Sequence, residues 1–532
     1  MNTKINILIA EPIAQRGIEL LSRNDRFQVD VKLNLKPDEL EKIIGDYDVL
    51  LVRSQTKVNA ALLAKAGKLR AIGRAGVGVD NVDVEAATAR GIIVMNTPAG
   101  NTISTCEHAF SMLLSLARNI PQAHSSMKAG KWERKSFEGV EVYSKTLGIV
   151  GMGRIGSEVA RRAIAFGMRV LAYDPFLSLH RAKSLQVELV ELDEIYARSD
   201  FITIHVPATD ETRNMIGAEQ FKKMKKGVRI VNCARGGIIN EKELADAIRS
   251  GQVAGAALDV YEKEPPPADL PLRDLQQVVM TPHLGASTME AQESVGVEIA
   301  EAVSELLLES TVRNAVNVPN VDAQTLKIIQ PYLSFGQKLG RILSQLSPKR
   351  VEKLIIDYSG KISEVDTKPV SRAVLTGYLE HAAGKDVNAV NVMSIAENLG
   401  IQVEERKTSN VKDYTELIQI IVRSAEGEYS IAGTFYGSPN NPRIVRINDT
   451  PVEATPHGIL FLMANKDRPG IVGHIGTIMG KHKVNIASMS LSREKLGGEA
   501  LTVLNLDSVP SEACMAEIKR DPDIYWAKIA EL

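Results

Sequence analysis

Gly151, Gly153 and Gly156 form a G-x-G-x-x-G spacing inside KTLGIVGMGRIGSEVARRAIAFGMRVLAYDP, residues 145–175. The chemistry that this spacing suits is the binding of a dinucleotide. Gly151 permits a tight strand-to-helix turn, Gly153 lets the backbone approach a pyrophosphate, and Gly156 allows the helix to pack closely on the strand. The phosphate charge would meet the free amides of a helix N-terminus. Asp174 ends the next apolar run. There its carboxylate can accept hydrogen bonds from a ribose diol and repel a 2′-phosphate, which favours NAD over NADP. A glycine-rich turn without a ligand would leave the placement of that acid to coincidence.

To position these groups the chain must read strand, turn, helix, strand, and the surrounding pattern does so. From residue 5, short apolar runs alternate with amphipathic stretches: INILIA, FQVDV, DVLLVRS, LRAIGRAG, and IIVMNT at 92–97. This alternation predicts a parallel α/β unit of about 100 residues with no glycine fingerprint of its own. A helix expected over 102–118 leads into the fingerprint, and RVLAYD, FITIHVP, VRIVNCAR, AGAALDV and VVMTPH continue the second unit as strands. After His283, STMEAQESVGVEIAEAVSELLLES predicts a helix that crosses back to the first unit. Two Rossmann-like lobes with doubly wound parallel sheets would then face each other across a cleft. The expected divisions are 1–100, completed by 286–320, for the first lobe and 101–285 for the dinucleotide lobe. From 321 to 455 a helical run precedes mixed strands and helices, an α+β unit without a catalytic motif. Residues 456–532 read βαββαβ, the ferredoxin-like order.

The length of 532 residues suits about three or four domains. Hydrophobic content of 44% and charged content of 24% are ordinary for soluble globular chains. A formal charge of -1 gives no general attraction to nucleic acid or to an anionic membrane. Cys106, Cys233 and Cys514 are too few and too scattered for a disulfide framework or a zinc site, so a reducing compartment and no metal are expected. The N-terminal MNTKINILIAEP has too short an apolar run for a signal segment, and no stretch is long enough to cross a bilayer. A cytoplasmic location is expected.

Taken together, VGVDNVD at 77–83, GIVGMGRIG at 148–156, NCARGGIIN at 232–240, ALDVYEKEPP at 257–266 and TPHLGAST at 281–288 resemble the D-isomer-specific 2-hydroxyacid dehydrogenases. The likeness extends over essentially the full chain to the long form of that family, which carries an intervening domain and a C-terminal ACT domain. It is weakest between the first 320 and the last 75 residues. Hydride transfer from a 2-hydroxy acid needs a cation for the carboxylate, a base for the hydroxyl proton and a carboxylate to tune that base. The resemblance assigns these to Arg235, His283 and Glu264. Guanidinium presents a planar fork of donors to the C1 carboxylate and C2 oxygen. Glu264 should stabilise the imidazolium of His283 and raise its pKa.

The same resemblance implies further contacts. Arg154 and Ile155 lie in the phosphate turn, His205, Val206 and Pro207 end a strand near the adenine, and Cys233 and Ala234 sit beside the nicotinamide. Asp259 is expected to hold the carboxamide, and Gly285 and Ala286 complete the cofactor set. The Arg74-Ala-Gly76-Val77-Gly78 segment follows an apolar strand and can turn its amides toward an anion. Arg53, Arg74 and Arg134 are implied for a substrate phosphate. Trp132, beside Arg134, is expected either to pack that loop or to belong to a core.

The C-terminal segment resembles an ACT domain, a small-molecule sensor whose ligand sits where two copies meet. Asn465 and Asp467 fall between its first strand and helix, and Asn485 opens the next strand. Asp467 pairs with an α-ammonium or caps the helix, with Pro469 in its first turn. The resemblance thus implies NAD-dependent oxidation of 3-phosphoglycerate to 3-phosphohydroxypyruvate, the first step of serine synthesis, by a homo-oligomer, a tetramer, with serine as effector. The alternatives are a glyoxylate or hydroxypyruvate reductase of the same family, or an NAD-sensing corepressor.

Overall fold

The structure, a computed structural model, describes residues 4–383, 386–410, 414–438, 441–493 and 495–532. The first apolar runs form β1 (Ile5–Ile9), β2 (Phe27–Val31), β3 (Val49–Val52), β4 (Ala71–Arg74) and β5 (Ile93–Met95), a parallel sheet in the order β2-β1-β3-β4-β5. All four residues of β3 are buried, as expected of a parallel strand covered on both faces. Asn59 and Asp83 start the helices Ala60–Lys65 and Val84–Ala89 by accepting an amide hydrogen three residues on.

The second sheet contains β6 (Thr146–Val150), β7 (Arg169–Tyr173), β8 (Glu188–Leu189), β9 (Phe201–Ile204), β10 (Val228–Asn232), β11 (Val253–Leu258) and β12 (Val278–Met280). It is wholly parallel, in the order β12-β11-β10-β9-β6-β7-β8. Strand order reverses between β6 and β9, and ligands of such sheets bind outside the C-terminal strand ends at that point.

Two helices join the lobes. Thr102–Arg118 packs Ala109, Phe110 and Leu113 into the core of the second sheet with Leu147, Ile149 and Val231. Met289–Glu309, capped by Thr288, brings Val295, Ile299 and Val303 back to the first sheet against Ile7, Leu51 and Ala71. That return is tight. A Cβ on Gly17, in the helix Gln15–Ser22, would stand 2.4 Å from the Gly296 carbonyl oxygen.

A long helix, Ala323–Leu346, and the helix Lys368–Ala383 cover a third sheet. Its strands are β13 (Lys353–Gly360), β14 (Gln402–Thr408), β15 (Glu416–Ser424), β16 (Gly427–Phe435), β17 (Pro442–Ile447) and β18 (Thr450–Ala454), in the order β14-β13-β15-β16-β17-β18. The last sheet is antiparallel, β20-β21-β19-β22, from β19 (Ile459–Lys466), β20 (Ile486–Arg493), β21 (Glu499–Leu506) and β22 (Ile524–Glu531). Alternation along β19 divides its contacts. Phe461 and Met463 face the helices Ile471–Lys481 and Glu512–Ile518, whereas Leu460 and Leu462 join the core around Leu343 and Ile420 of the preceding unit. Among the described residues, no helix is long and apolar enough to cross a membrane.

Candidate active site

The C-terminal ends of β10, β11 and β12 turn toward the first lobe and bring the three expected catalytic side chains together. Asn232, the last residue of β10, is buried; its Oδ1 accepts from Ala234 N at 3.0 Å, and its Nδ2 donates to Arg235 O at 2.9 Å. This side chain folds the Cys233-Ala234-Arg235 turn. Arg235 then reaches across the cleft, where Nε donates to Asp80 Oδ2 at 3.1 Å. Its guanidinium lies against Gly78, so closely that a Cβ there would stand 1.8 Å from Nη2.

His283 follows β12 with φ of 56°, a left-handed conformation, and its amide donates to Asp259 O at 2.9 Å. Nδ1 meets Glu264 Oε2 at 2.7 Å, and Glu264 Oε1 accepts from Tyr261 N at 3.1 Å. The two side chains are 49% and 37% exposed, so the pair opens to the cleft. The Glu264 hydrogen bond raises the imidazole pKa, against burial and the nearby Arg235 charge, and in return that bond helps hold the carboxyl below its ordinary range although burial opposes this. Nδ1 faces the carboxylate, and Nε2 makes no hydrogen bond among the described residues.

Arg74 ends β4, and its Nε has no hydrogen-bond partner among the described residues. Burial, with the charge of Arg235 and then Arg53, pushes its pKa down to about 10. Arg53 lies beyond β3 and lines an open cavity with Pro12, Arg16 and Gln292. Val77 O accepts from Asn96 Nδ2 at 2.5 Å, which holds the 75–78 loop. Arg134 opens an exposed 3-10 turn, Arg134–Phe137, with no ion pair among the described residues. Trp132 is 76% exposed, so it neither packs a loop nor joins a core.

The phosphate turn fits a dinucleotide. Gly151 has φ of 96°, and Gly156 lies so close that a Cβ would stand 2.1 Å from the Gly151 carbonyl oxygen. A Cβ on Gly153 would meet nothing, and the helix Arg154–Ala165 begins there without a side-chain cap. Its first amides are therefore free for an anion beside an open cavity lined by Thr102, Arg154 and Arg181. Ile155 packs against the core behind the turn. Asp174 Oδ2 accepts from Met152 N and Oδ1 from Phe176 N, both at 2.8 Å, so the acid expected at the ribose braces the glycine-rich turn. His205, Val206 and Pro207 leave β9 opposite that turn, where a Cβ on Gly151 would meet the His205 carbonyl at 2.5 Å. Desolvation holds the His205 imidazole at about 4.

Cys233 is buried, and burial first, then the charge of Asp259, pushes its thiol far above the ordinary range. Asp259, expected at the carboxamide, is 0% exposed. Its Oδ1 accepts from Thr281 Oγ1 at 2.6 Å and Leu284 N at 2.7 Å, and its Oδ2 from Gly285 N, the residue before Ala286, at 2.9 Å. Asp80, Asn232, His108 and Thr281 were not singled out from the sequence. Asp80, Asn232 and Thr281 lie inside recognised motifs, but their types read as turn residues, and His108 meets Thr281 and Asp259 more than 150 positions away.

In the last sheet Asp467 Oδ2 accepts from Arg493 Nη1 at 2.6 Å and Gly497 N at 3.0 Å. The following helix starts from Gly470, so Asp467 does not cap it. Asn485 Nδ2 donates to Asp507 at 2.6 Å on the surface. Asn465 is fully buried, accepting from Thr502 Oγ1 at 3.1 Å, and does not reach the surface with the other two.

Three family descriptions match successive parts of the chain: "D-isomer specific 2-hydroxyacid dehydrogenase, NAD binding domain" over 110–285, "D-3-phosphoglycerate dehydrogenase intervening domain" over 328–448 and "ACT domain" over 459–523. A D-3-phosphoglycerate dehydrogenase of Archaeoglobus fulgidus is 44% identical over 99% of this chain and 100% of its own length. One of Bacillus subtilis is 41% identical over 99% of each. Among solved structures, D-lactate dehydrogenase from Aquifex aeolicus, complexed with NAD and lactic acid, is 28% identical with a TM-score of 0.52, over 59% of this chain and 100% of its own. These likenesses make the chain an NAD-dependent dehydrogenase with a regulatory-type C-terminal domain. It belongs to the D-3-phosphoglycerate dehydrogenase family of D-isomer specific 2-hydroxyacid dehydrogenases.

Proposed function

We propose that this protein oxidises 3-phospho-D-glycerate to 3-phosphohydroxypyruvate, the first step of serine synthesis. The observation that carries the reading is the Arg235–Asp80 contact beside the His283–Glu264 pair. Asp80 is a carboxylate already seated on the guanidinium, which supports Arg235 as the cation for a substrate carboxylate. The substrate takes its place, with the C2 hydroxyl directed to Nε2 of His283. His283 accepts the hydroxyl proton, and Glu264 stabilises the imidazolium that results. NAD, when bound, supplies the acceptor for the hydride from C2. Gly151, Gly153, Arg154, Ile155, Gly156 and Asp174 hold it. His205, Val206, Pro207, Cys233, Ala234, Gly285 and Ala286 line its place, and Asp259 shapes the loop beside the nicotinamide. Arg53, Arg74 and Arg134 receive the phosphate, and the amides of Val77 and Gly78 complete the carboxylate site. The buried, protonated Cys233 takes no covalent part.

The first lobe comprises 1–100 with 286–320, the cofactor lobe 101–285, an intervening assembly domain 321–455 and the ACT domain 456–532. The protein works in the cytoplasm as a homo-oligomer, a tetramer, and senses serine through Asp467 and Asn485 of paired ACT domains, with Asn465 shaping the loop from within. The test is NADH formation or loss across several hydroxy and oxo acids. The expected preference for 3-phosphoglycerate over glycerate in kcat/KM is about 100-fold, because each hydrogen bond to a charged group contributes about 1.5–3 kcal/mol. Arg53→Ala should narrow that gap. Equal rates on phosphorylated and unphosphorylated acids, before and after the substitution, would instead support a hydroxypyruvate or glyoxylate reductase.

A further inference from the structure

One cluster beside the catalytic loop includes a histidine, His108, that has no place in the chemistry above. His108, Cys233 and Asp259 bring a ring nitrogen, a sulfur and a carboxylate oxygen within 4.8 Å of one another. Such a set can hold a metal ion, but here the donors are already committed. Both Asp259 oxygens accept hydrogen bonds from the protein, and a thiol held far above its ordinary pKa is a poor ligand because metals take the thiolate. The cluster works instead as a hydrogen-bond hub.

The protons in that hub can be placed. His108 Nε2 lies 3.2 Å from Thr281 Oγ1 and 3.1 Å from Asp259 Oδ1. Thr281 has one hydroxyl hydrogen and two neighbouring acceptors, Asp259 Oδ1 at 2.6 Å and Met112 Sδ at 3.8 Å. The carboxylate takes it, being closer, charged and the stronger acceptor. The Thr281 oxygen is then left as an acceptor, and Asp259 Oδ1 can only accept. His108 must therefore carry its hydrogen on Nε2 and share it between the two.

The hub bears directly on His283. Asp259 holds the catalytic loop at three consecutive amides: its carbonyl accepts from His283 N, Oδ1 from Leu284 N and Oδ2 from Gly285 N. These bonds offset the cost of the left-handed backbone at His283. Thr105 Oγ1 donates to Gly285 O at 3.1 Å from the same side as His108. Thr105, His108 and Met112 are spaced i, i+3, i+7 on the helix Thr102–Arg118, so one helical face fastens the loop. We propose that His108, as its Nε2–H tautomer, is a positioning residue that fixes the catalytic histidine through Asp259 and Thr281. This rests on the assignment of His283 as the base.

The test compares His108→Phe, which keeps a ring of similar bulk without the donor, with His108→Gln, whose amide nitrogen falls near Nε2. His108→Phe should lower kcat by about 10- to 100-fold with little change in KM for 3-phosphoglycerate or in NADH affinity by fluorescence, as misplacement of a catalytic group does. His108→Gln should recover most of the rate. Thr281→Val should lower kcat likewise, and the double variant with His108→Phe should lose less than the product of the two, since both act on one carboxylate. Should His108→Phe fail to fold, His108→Gln and Thr281→Val carry the comparison, with the Thr281 loss and the Gln recovery required together. Full turnover in His108→Phe would overturn the proposal. So would equal losses in Phe and Gln variants, or a rise in the NADH dissociation constant in step with kcat, which would indicate packing or cofactor binding. His283→Ala serves as the control: if it turns over at full rate, the catalytic assignment itself fails, whereas a dead His283→Ala beside a normal His108→Phe removes only the positioning role.

Discussion

Glu264 and His283 form a hydrogen-bonded pair, and in the proposed mechanism its protonation state decides which direction of the reaction the pair can assist. Oxidation needs the neutral imidazole as proton acceptor, and Glu264, 2.7 Å from Nδ1, raises the pKa at which that form appears. Asp259 raises it further, and Arg235 across the cleft lowers it. Oxidation therefore declines as pH falls through the raised value, and reduction, which needs the imidazolium, declines as pH rises through it. Glu264→Gln removes the charge while keeping an oxygen for Tyr261 N, so both limbs should move to lower pH, with kcat reduced. Rate profiles measured in both directions check the sign. A limb that stays in place would mean that Glu264 does not set the pKa of the base. The identities of these two residues were legible through sequence motifs. The contacts around the pair were less so, because Arg235 meets Asp80 across 155 positions and His108 meets Thr281 across 173, separations that no local pattern encodes.

The strands were legible for a different reason. β3 and β9 are buried throughout, so β3 appears as an unbroken apolar run and β9 as one interrupted only by Thr203. β8 was missed because two residues carry no periodicity, and the helix Ile120–Lys128 because it buries none of its residues. The return helix Met289–Glu309 was expected from its apolar spacing, but the way it seats on the first lobe was not. It touches Gln15–Ser22 through Gly17 and Gly296, and a Cβ on Gly17 would lie 2.8 Å from the Gly296 carbonyl carbon as well as 2.4 Å from its oxygen. Backbone cannot swing aside as a side chain can. Gly17→Ala should therefore destabilise the protein by about 1–3 kcal/mol despite its better helix propensity, and lower Tm. Arg16→Ala, on the exposed neighbouring position, should leave Tm nearly unchanged. If Gly17→Ala stabilises instead, the helices do not meet at that point.

At the scale of the whole chain, the last sheet is not an appended bead. Leu460, Leu462, Leu501, Val503 and Ala530 share a core with Leu343, Leu346 and Ile420, and Lys528 Nζ donates to Leu346 O at 2.7 Å. The preceding unit in turn reaches the first lobe, where Asn388 Nδ2 donates to Gly91 O at 3.3 Å. A ligand at the ACT domain can change catalysis only by binding two states of the assembly with different affinity, and these shared surfaces give such states a physical connection to the cleft. They also decide how the regulation must be tested. Removing 456–532 would strip one wall of the intervening core, so loss of activity in that truncation would say nothing about serine. Point substitutions are the cleaner probe. Serine should lower the activity of the full chain, and Asn485→Ala, an exposed position whose amide donates to Asp507, should weaken that response at least about tenfold without changing kcat in its absence. Asp467→Ala should abolish the response and also free Arg493, which now pairs with it at 2.6 Å. Calorimetry with serine separates the outcomes. Binding without inhibition would leave a sensor uncoupled from the cleft, and no heat of binding to the intact protein would reduce the ACT sheet to an assembly element that completes the core of its neighbour.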